Sequence, residues 1–152
     1  MYQRFQRGCV FALLALWLVA WTPATAADFR IADLIVAQLR SHPTAPAAAV
    51  GVVYFSVTNA GHRLDRLLTI SSPIARAVEI HESRNVDGMM QMRAVDALEC
   101  PPGVTVKSEP GGLHVMLLGL SRPLTVGMEF PMTLHFQYAG MLLIRVQVSA
   151  RE

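Results

Sequence analysis

At 152 residues the chain is long enough to bury one hydrophobic core without help from disulfides or a structural metal, and one domain is the default organisation. Hydrophobic residues make up 53% and charged residues 16%, and part of that apolar lean comes from the first two dozen positions. Setting Arg4 and Arg7 aside with that segment leaves eleven basic against eleven acidic residues, a balance that argues against nucleic acid as a partner.

Arg4 and Arg7 precede an apolar run from Cys9 to Trp21, followed by Thr22-Pro23 and the small residues Ala24-Thr25-Ala26-Ala27. This is the layout of a secretory signal peptide, expected over 1–26 and cleaved after Ala26 or Ala27. A run of about a dozen apolar residues is too short for a spanning helix, which needs roughly 20, so no stable membrane insertion is expected after cleavage. Cys9 leaves with the signal and no lipid anchor is expected. Cys100 is then the one cysteine of the mature domain, 27–152, which has no internal disulfide.

Beyond the signal, short β-type runs alternate with turn residues, and no segment keeps a helical apolar spacing. Strands are predicted near Phe29–Ala37, Gly51–Thr58, Arg66–Ile70, Arg76–His81, Met89–Ala94, Leu113–Leu118, Phe130–Tyr138 and Met141–Val148. Asn59-Ala60-Gly61, Asp87-Gly88, Pro101-Pro102-Gly103, Pro110-Gly111-Gly112 and Ala139-Gly140 supply turn chemistry between them. The pattern predicts an all-β domain of two packed antiparallel sheets, with a closed barrel as second choice.

Side-chain direction then singles out His81, Met92, His114 and Met116. In Leu113-His114-Val115-Met116-Leu117 strand alternation puts the three aliphatic residues on one face and His114 with Met116 on the other. Met90 and Met92 likewise share a face, with Met89 opposite, and His81 closes a strand whose Val78 and Ile80 point away from it. Thioether sulfur favours Cu(I) over hard cations, and imidazole suits several transition metals, so two of each form a Cu(I) set. Thioethers also withstand an oxidising compartment better than thiolates. An imidazole donates its lone pair only when deprotonated, so proton competition is expected through His81 and His114 and not through the methionines. Taken singly, each methionine reads as core filling and each strand histidine as solvated.

The spacing of the four is His81, ten residues, Met92, twenty-one residues, His114, one residue, Met116. It resembles the periplasmic copper chaperone family of PCuAC type, which supplies the binuclear copper centre of cytochrome c oxidase. Val53-Tyr54-Phe55, Thr58-Asn59-Ala60-Gly61, Asp65-Arg66-Leu67, Val78-Glu79-Ile80-His81-Glu82 and Pro110–Leu117 carry the likeness over nearly the whole mature chain. The resemblance implies a cupredoxin-like Greek-key β-sandwich and a surface Cu(I) site formed by the four motif residues. It also implies a carrier rather than an enzyme, whose partner is a copper-accepting protein such as cytochrome c oxidase subunit II or another periplasmic copper chaperone. Asp33 to Ala49 is less family-like, and no His/Met-rich segment follows Val148, so a second, tail-borne copper site is not expected.

Met90 ranks as a possible additional ligand, and Met89 as core or exposed on the opposite side. His42, His62 and His135 read as solvated, and Cys100 lies fourteen residues from the motif histidine, away from the cluster an electron-transfer cupredoxin would need. No nucleophile–base pattern or phosphate-cradling glycine loop is present. The competing functions are copper buffering or resistance with the same ligands, electron transfer, and a metal-free interaction module.

Overall fold

The computed structural model describes residues 28–150, so the expected signal peptide lies outside the described residues. Eleven strands follow one another: β1 (Phe29–Ile31), β2 (Leu34–Ser41), β3 (Val50–Asn59), β4 (Asp65–Ser71), β5 (Ala75–Val86), β6 (Met89–Ala94), β7 (Leu98–Cys100), β8 (Thr105–Lys107), β9 (Leu113–Leu120), β10 (Glu129–Phe136) and β11 (Gly140–Val148). Among the described residues there is no helix. The all-β expectation holds.

Hydrogen bonding joins the strands into one ladder, β6-β5-β9-β3-β2-β11-β10-β4-β7, with β1 on β2 and β8 on β3. The expected antiparallel sandwich is thus modified: β11 runs parallel to β2 at Gln147↔Arg40 and Val148↔Ser41 and splices the two halves together. Alternation makes the core. Val53, Phe55 and Val57 of β3, Val115 and Leu117 of β9, and Phe130, Met132, Leu134 and Phe136 of β10 are all buried, and they meet Ile144, Val146 and Val148 of β11. Each such side chain stabilises the fold by about 1.5–3 kcal/mol through removal from water.

Two local expectations are corrected. The run predicted as one strand over Phe29–Ala37 is broken at Ala32-Asp33, where Ala32 takes φ 48°, and β1 folds back on β2 with Phe29 opposite Val36 and Ile31 opposite Leu34. Folding back lets Phe29 and Ile31 pack against the core beside buried Leu34 and Val36, and no glycine or proline signals the turn. His81 does not end its strand: β5 continues through Glu82–Val86, because that polar run is held by backbone pairing with β6 rather than by burial. The three-residue strands β7 and β8 have no sequence expectation, being too short to show a period.

The β5–β6 hairpin matters most for the site. Its two turn residues, Asp87 (φ 50°) and Gly88 (φ 83°), both lie in the left-handed region required by a type I′ turn. Asn85 Oδ1 accepts the Gly88 amide at 2.9 Å. On the hairpin's other face Glu82 accepts hydrogen bonds from Arg84 (2.9 Å) and Arg93 (3.1 Å). Arg84 first, then Arg93, hold the Glu82 carboxyl below its ordinary value. β6 is exposed along its whole length and forms one edge of the ladder.

Candidate metal centre

The register of β5 on β9 sets His81 directly opposite His114 and Glu79 opposite Met116. β6 sets Met92 opposite Ser83 and Met90 opposite Asn85. Residues directly opposite each other, or two apart on one strand, point to the same side of a sheet. His81, His114, Met116, Met92 and Met90 therefore lie on one outer face spanning three strands, while Ile80, Val115 and Leu117 point into the core. Met89 is on the other face, opposite Val86.

The two imidazoles stand 6.0 Å apart between ring centroids, with their planes inclined at 39°. A ring nitrogen binds an ion of this class at about 2.0–2.1 Å, which puts the ion about 3 Å from the ring centroid, so two rings sharing one ion have centroids no more than about 6 Å apart. The observed spacing lies at that limit. His114 is only 6% exposed, and its Nδ1–H donates to the Gly112 carbonyl at 2.9 Å. His81 Nε2–H donates to the Glu79 carboxylate at 2.8 Å, and its Nδ1 is buried with no hydrogen-bond partner. An orphaned buried ring nitrogen is costly unless something else uses its lone pair.

The thioethers differ in depth. Met116 is half-buried, whereas Met92 is 57% exposed on the edge strand, as is Met90 at 61%. Among the described residues no group of three or more His, Cys, Asp or Glu side chains is placed to hold a metal. Any ion on this face is therefore bound with thioether help, which selects a soft one.

The residues set aside are elsewhere. His135 is exposed on β10 opposite Met141, His62 is exposed in the β3–β4 connection, and His42 Nδ1–H donates to the Ser149 carbonyl at 3.4 Å. Cys100 is fully buried on β7, at the opposite end of the ladder from β6. Burial first, and then the Asp65 carboxylate, push its thiol from the ordinary 9.0 up to about 11. The folded state thus holds its proton more tightly than the unfolded chain does. The resulting stability is fully present below about pH 9 and lost as pH rises towards 11, a difference of about 2–3 kcal/mol. Urea unfolding at pH 8 and pH 11 should show this loss in the native chain, and Cys100→Ala should shed less stability over that interval. Parallel pH dependences in the two proteins would refute it.

Sequence reasoning missed Glu79 and the Gly112 carbonyl as partners of the two histidines. The signal for Glu79 was present, since a residue two positions from His81 on a strand shares its face. The Gly112 carbonyl had none, because a backbone acceptor carries no residue identity.

The family model described as "Putative lipoprotein LpqE-like" matches residues 30–148. The putative lipoprotein Lxx21020 of Leifsonia xyli subsp. xyli is 31% identical over 142 residues, covering 93% of this chain and 80% of that protein. Among solved structures, the copper-bound PCuAC domain from PmoF2 superposes with a TM-score of 0.70 at 26% identity, over 82% of this chain and 99% of that domain. The Cu(I) form of DR1885 from Deinococcus radiodurans gives 0.60 at 25% identity, over 84% and 83%. The chain belongs to the LpqE-like family, and its fold is that of the PCuAC copper-binding domains.

Proposed function

We propose that this protein is a periplasmic metallochaperone that carries one Cu(I) and delivers it for cytochrome c oxidase assembly, binding the ion through His81, Met92, His114 and Met116, with Met90 beside them as a possible additional ligand. The observation that carries the reading is the shared outer face on which the two imidazoles meet at 6.0 Å and the buried His81 Nδ1 stands without a partner. The solved relatives that hold copper, in PmoF2 and DR1885, support the choice of ion. Four neutral donors leave the ion's single positive charge in place, so release to a thiolate or richer site is feasible. The acceptor is a copper-binding protein such as cytochrome c oxidase subunit II or another periplasmic copper chaperone. The role is binding and transfer, without catalysis.

Delivery is favoured over buffering by the position of Met92. A ligand 57% exposed on an unpaired sheet edge can be displaced by an incoming donor while the deeper His81, His114 and Met116 still hold the ion. The lipoprotein names of the family and of the Leifsonia relative support a place outside the cytoplasm, as does the signal-like segment over 1–26. Anaerobic titration of the mature domain with Cu(I) against a chromophoric chelator is the direct test. One equivalent bound, unchanged in Cys100→Ala, is expected; no uptake, or uptake abolished by Cys100→Ala, would overturn the assignment.

A further inference from the structure

Resting on the carrier reading above, the geometry points to Glu79 as the positioning residue of this face. Its carboxylate holds His81 with the proton on Nε2, so that His81 offers Nδ1 to the metal while His114 offers Nε2. The two histidines are thus chemically inequivalent ligands, although they sit opposite each other in the ladder.

The inequivalence follows from what each ring is tied to. A neutral imidazole has one donor and one acceptor nitrogen. On His114 the donor is Nδ1, bonded to the carbonyl of Gly112 on the approach to its own strand, so the free lone pair is on Nε2. On His81 the donor is Nε2, because a carboxylate only accepts and Glu79 lies 2.8 Å away. The free lone pair is then on Nδ1, the one buried side-chain nitrogen or oxygen among the described residues that lacks a partner. Glu79 reaches His81 because they are two residues apart on β5 and so on one face, and it stands opposite Met116 of β9.

Such a contact fixes ring orientation and raises the basicity of the ligating nitrogen, and its loss typically costs 10–100-fold in metal affinity. A purely electrostatic role is the smaller part, since the Glu79 side chain is 45% exposed and its charge is screened. Glutamine keeps an acceptor oxygen at the same reach and removes the charge, so it separates the two contributions. Alanine removes both. Because Glu79 is exposed, neither change is expected to disturb the fold.

The test uses nitrogen-15 NMR of the two imidazoles at about pH 8, where free imidazole is neutral, in the apo chain and with one equivalent of Cu(I) under anaerobic conditions. In the apo wild type a hydrogen-bonded, slowly exchanging Nε2–H of His81 is expected, retained in Glu79→Gln and lost in Glu79→Ala. On adding Cu(I), the ligation shift should fall on Nδ1 of His81 and on Nε2 of His114. Chelator competition should show Glu79→Ala weakened by about 10–100-fold and Glu79→Gln by less than about 5-fold. Ligation of His81 through Nε2, or wild-type affinity in Glu79→Ala, would overturn the proposal. If the chain took up no Cu(I), the carrier reading would fail on its own. The apo spectra would then still decide whether Glu79 holds His81, and absence of the protected Nε2–H in the wild type would sink it.

Discussion

Replacing His114 by alanine is expected to lower Cu(I) affinity by about 100-fold or more, since it removes a ligand outright where loss of a supporting contact alone costs 10–100-fold. His114 is the most buried of the four motif residues and is held by the Gly112 carbonyl, so its lone pair is pre-aimed and binding spends little on ordering it. Met116→Ala should fall in the same range, because its half-buried thioether sits on the same strand and face. Met92→Ala should cost less, as an exposed edge side chain is less ordered before binding and Met90 stands two residues away on the same face. Met89→Ala and His135→Ala serve as controls and should change affinity by less than about 3-fold, one being on the opposite hairpin face and the other on β10. Chelator competition on the five variants, each checked for an unchanged thermal midpoint region, measures this ranking. Equal losses across all five would mean that the strand faces are misassigned.

The largest effect on stability is expected at Asp65, which is bonded to none of the proposed ligands. Its carboxylate is buried, at 6% exposure, and accepts three backbone amides: Arg66 at 2.7 Å and Tyr138 at 3.0 Å on Oδ1, and Ala139 at 2.9 Å on Oδ2. In this way it ties the turn between β10 and β11 to the start of β4. Asp65→Ala leaves these part-buried amides without their protein acceptor. At about 1–3 kcal/mol for each unsatisfied buried group, with partial relaxation, a loss of about 3–5 kcal/mol is expected. Asp65→Asn should be intermediate, since its amide keeps one acceptor oxygen but turns a donor towards a donor. Urea unfolding measures the loss, and a change below about 1 kcal/mol in Asp65→Ala would show that water replaces the carboxylate. Where the variant remains folded, Cu(I) stoichiometry should be unchanged, because the groups Asp65 holds, the amides of Arg66, Tyr138 and Ala139, include none of the proposed ligands.

Much of this protein is settled by local periodicity. The pairing of His114 with Met116 on one face, and of Met90 with Met92, follows from a repeat of two and needs no tertiary information. The Asp87-Gly88 turn and the all-β class are legible for the same reason: left-handed turn positions and alternating runs are properties of a few adjacent residues. Other features depend on which strands become neighbours. Nothing within Ala75–Val86 states that it pairs with β9 in the register that puts His81 across from His114, or that its polar end continues as strand against β6. Nor does Cys100 reveal its complete burial, or Ala32 the turn that folds β1 back. Glu79 lies between these cases. Its place two residues before His81 was visible in the chain, but its role depended on the tertiary arrangement that buries His81 Nδ1 without a partner. Periodicity determines which way a side chain points; only long-range pairing, driven by burial of a core shared among distant strands, decides what it meets there.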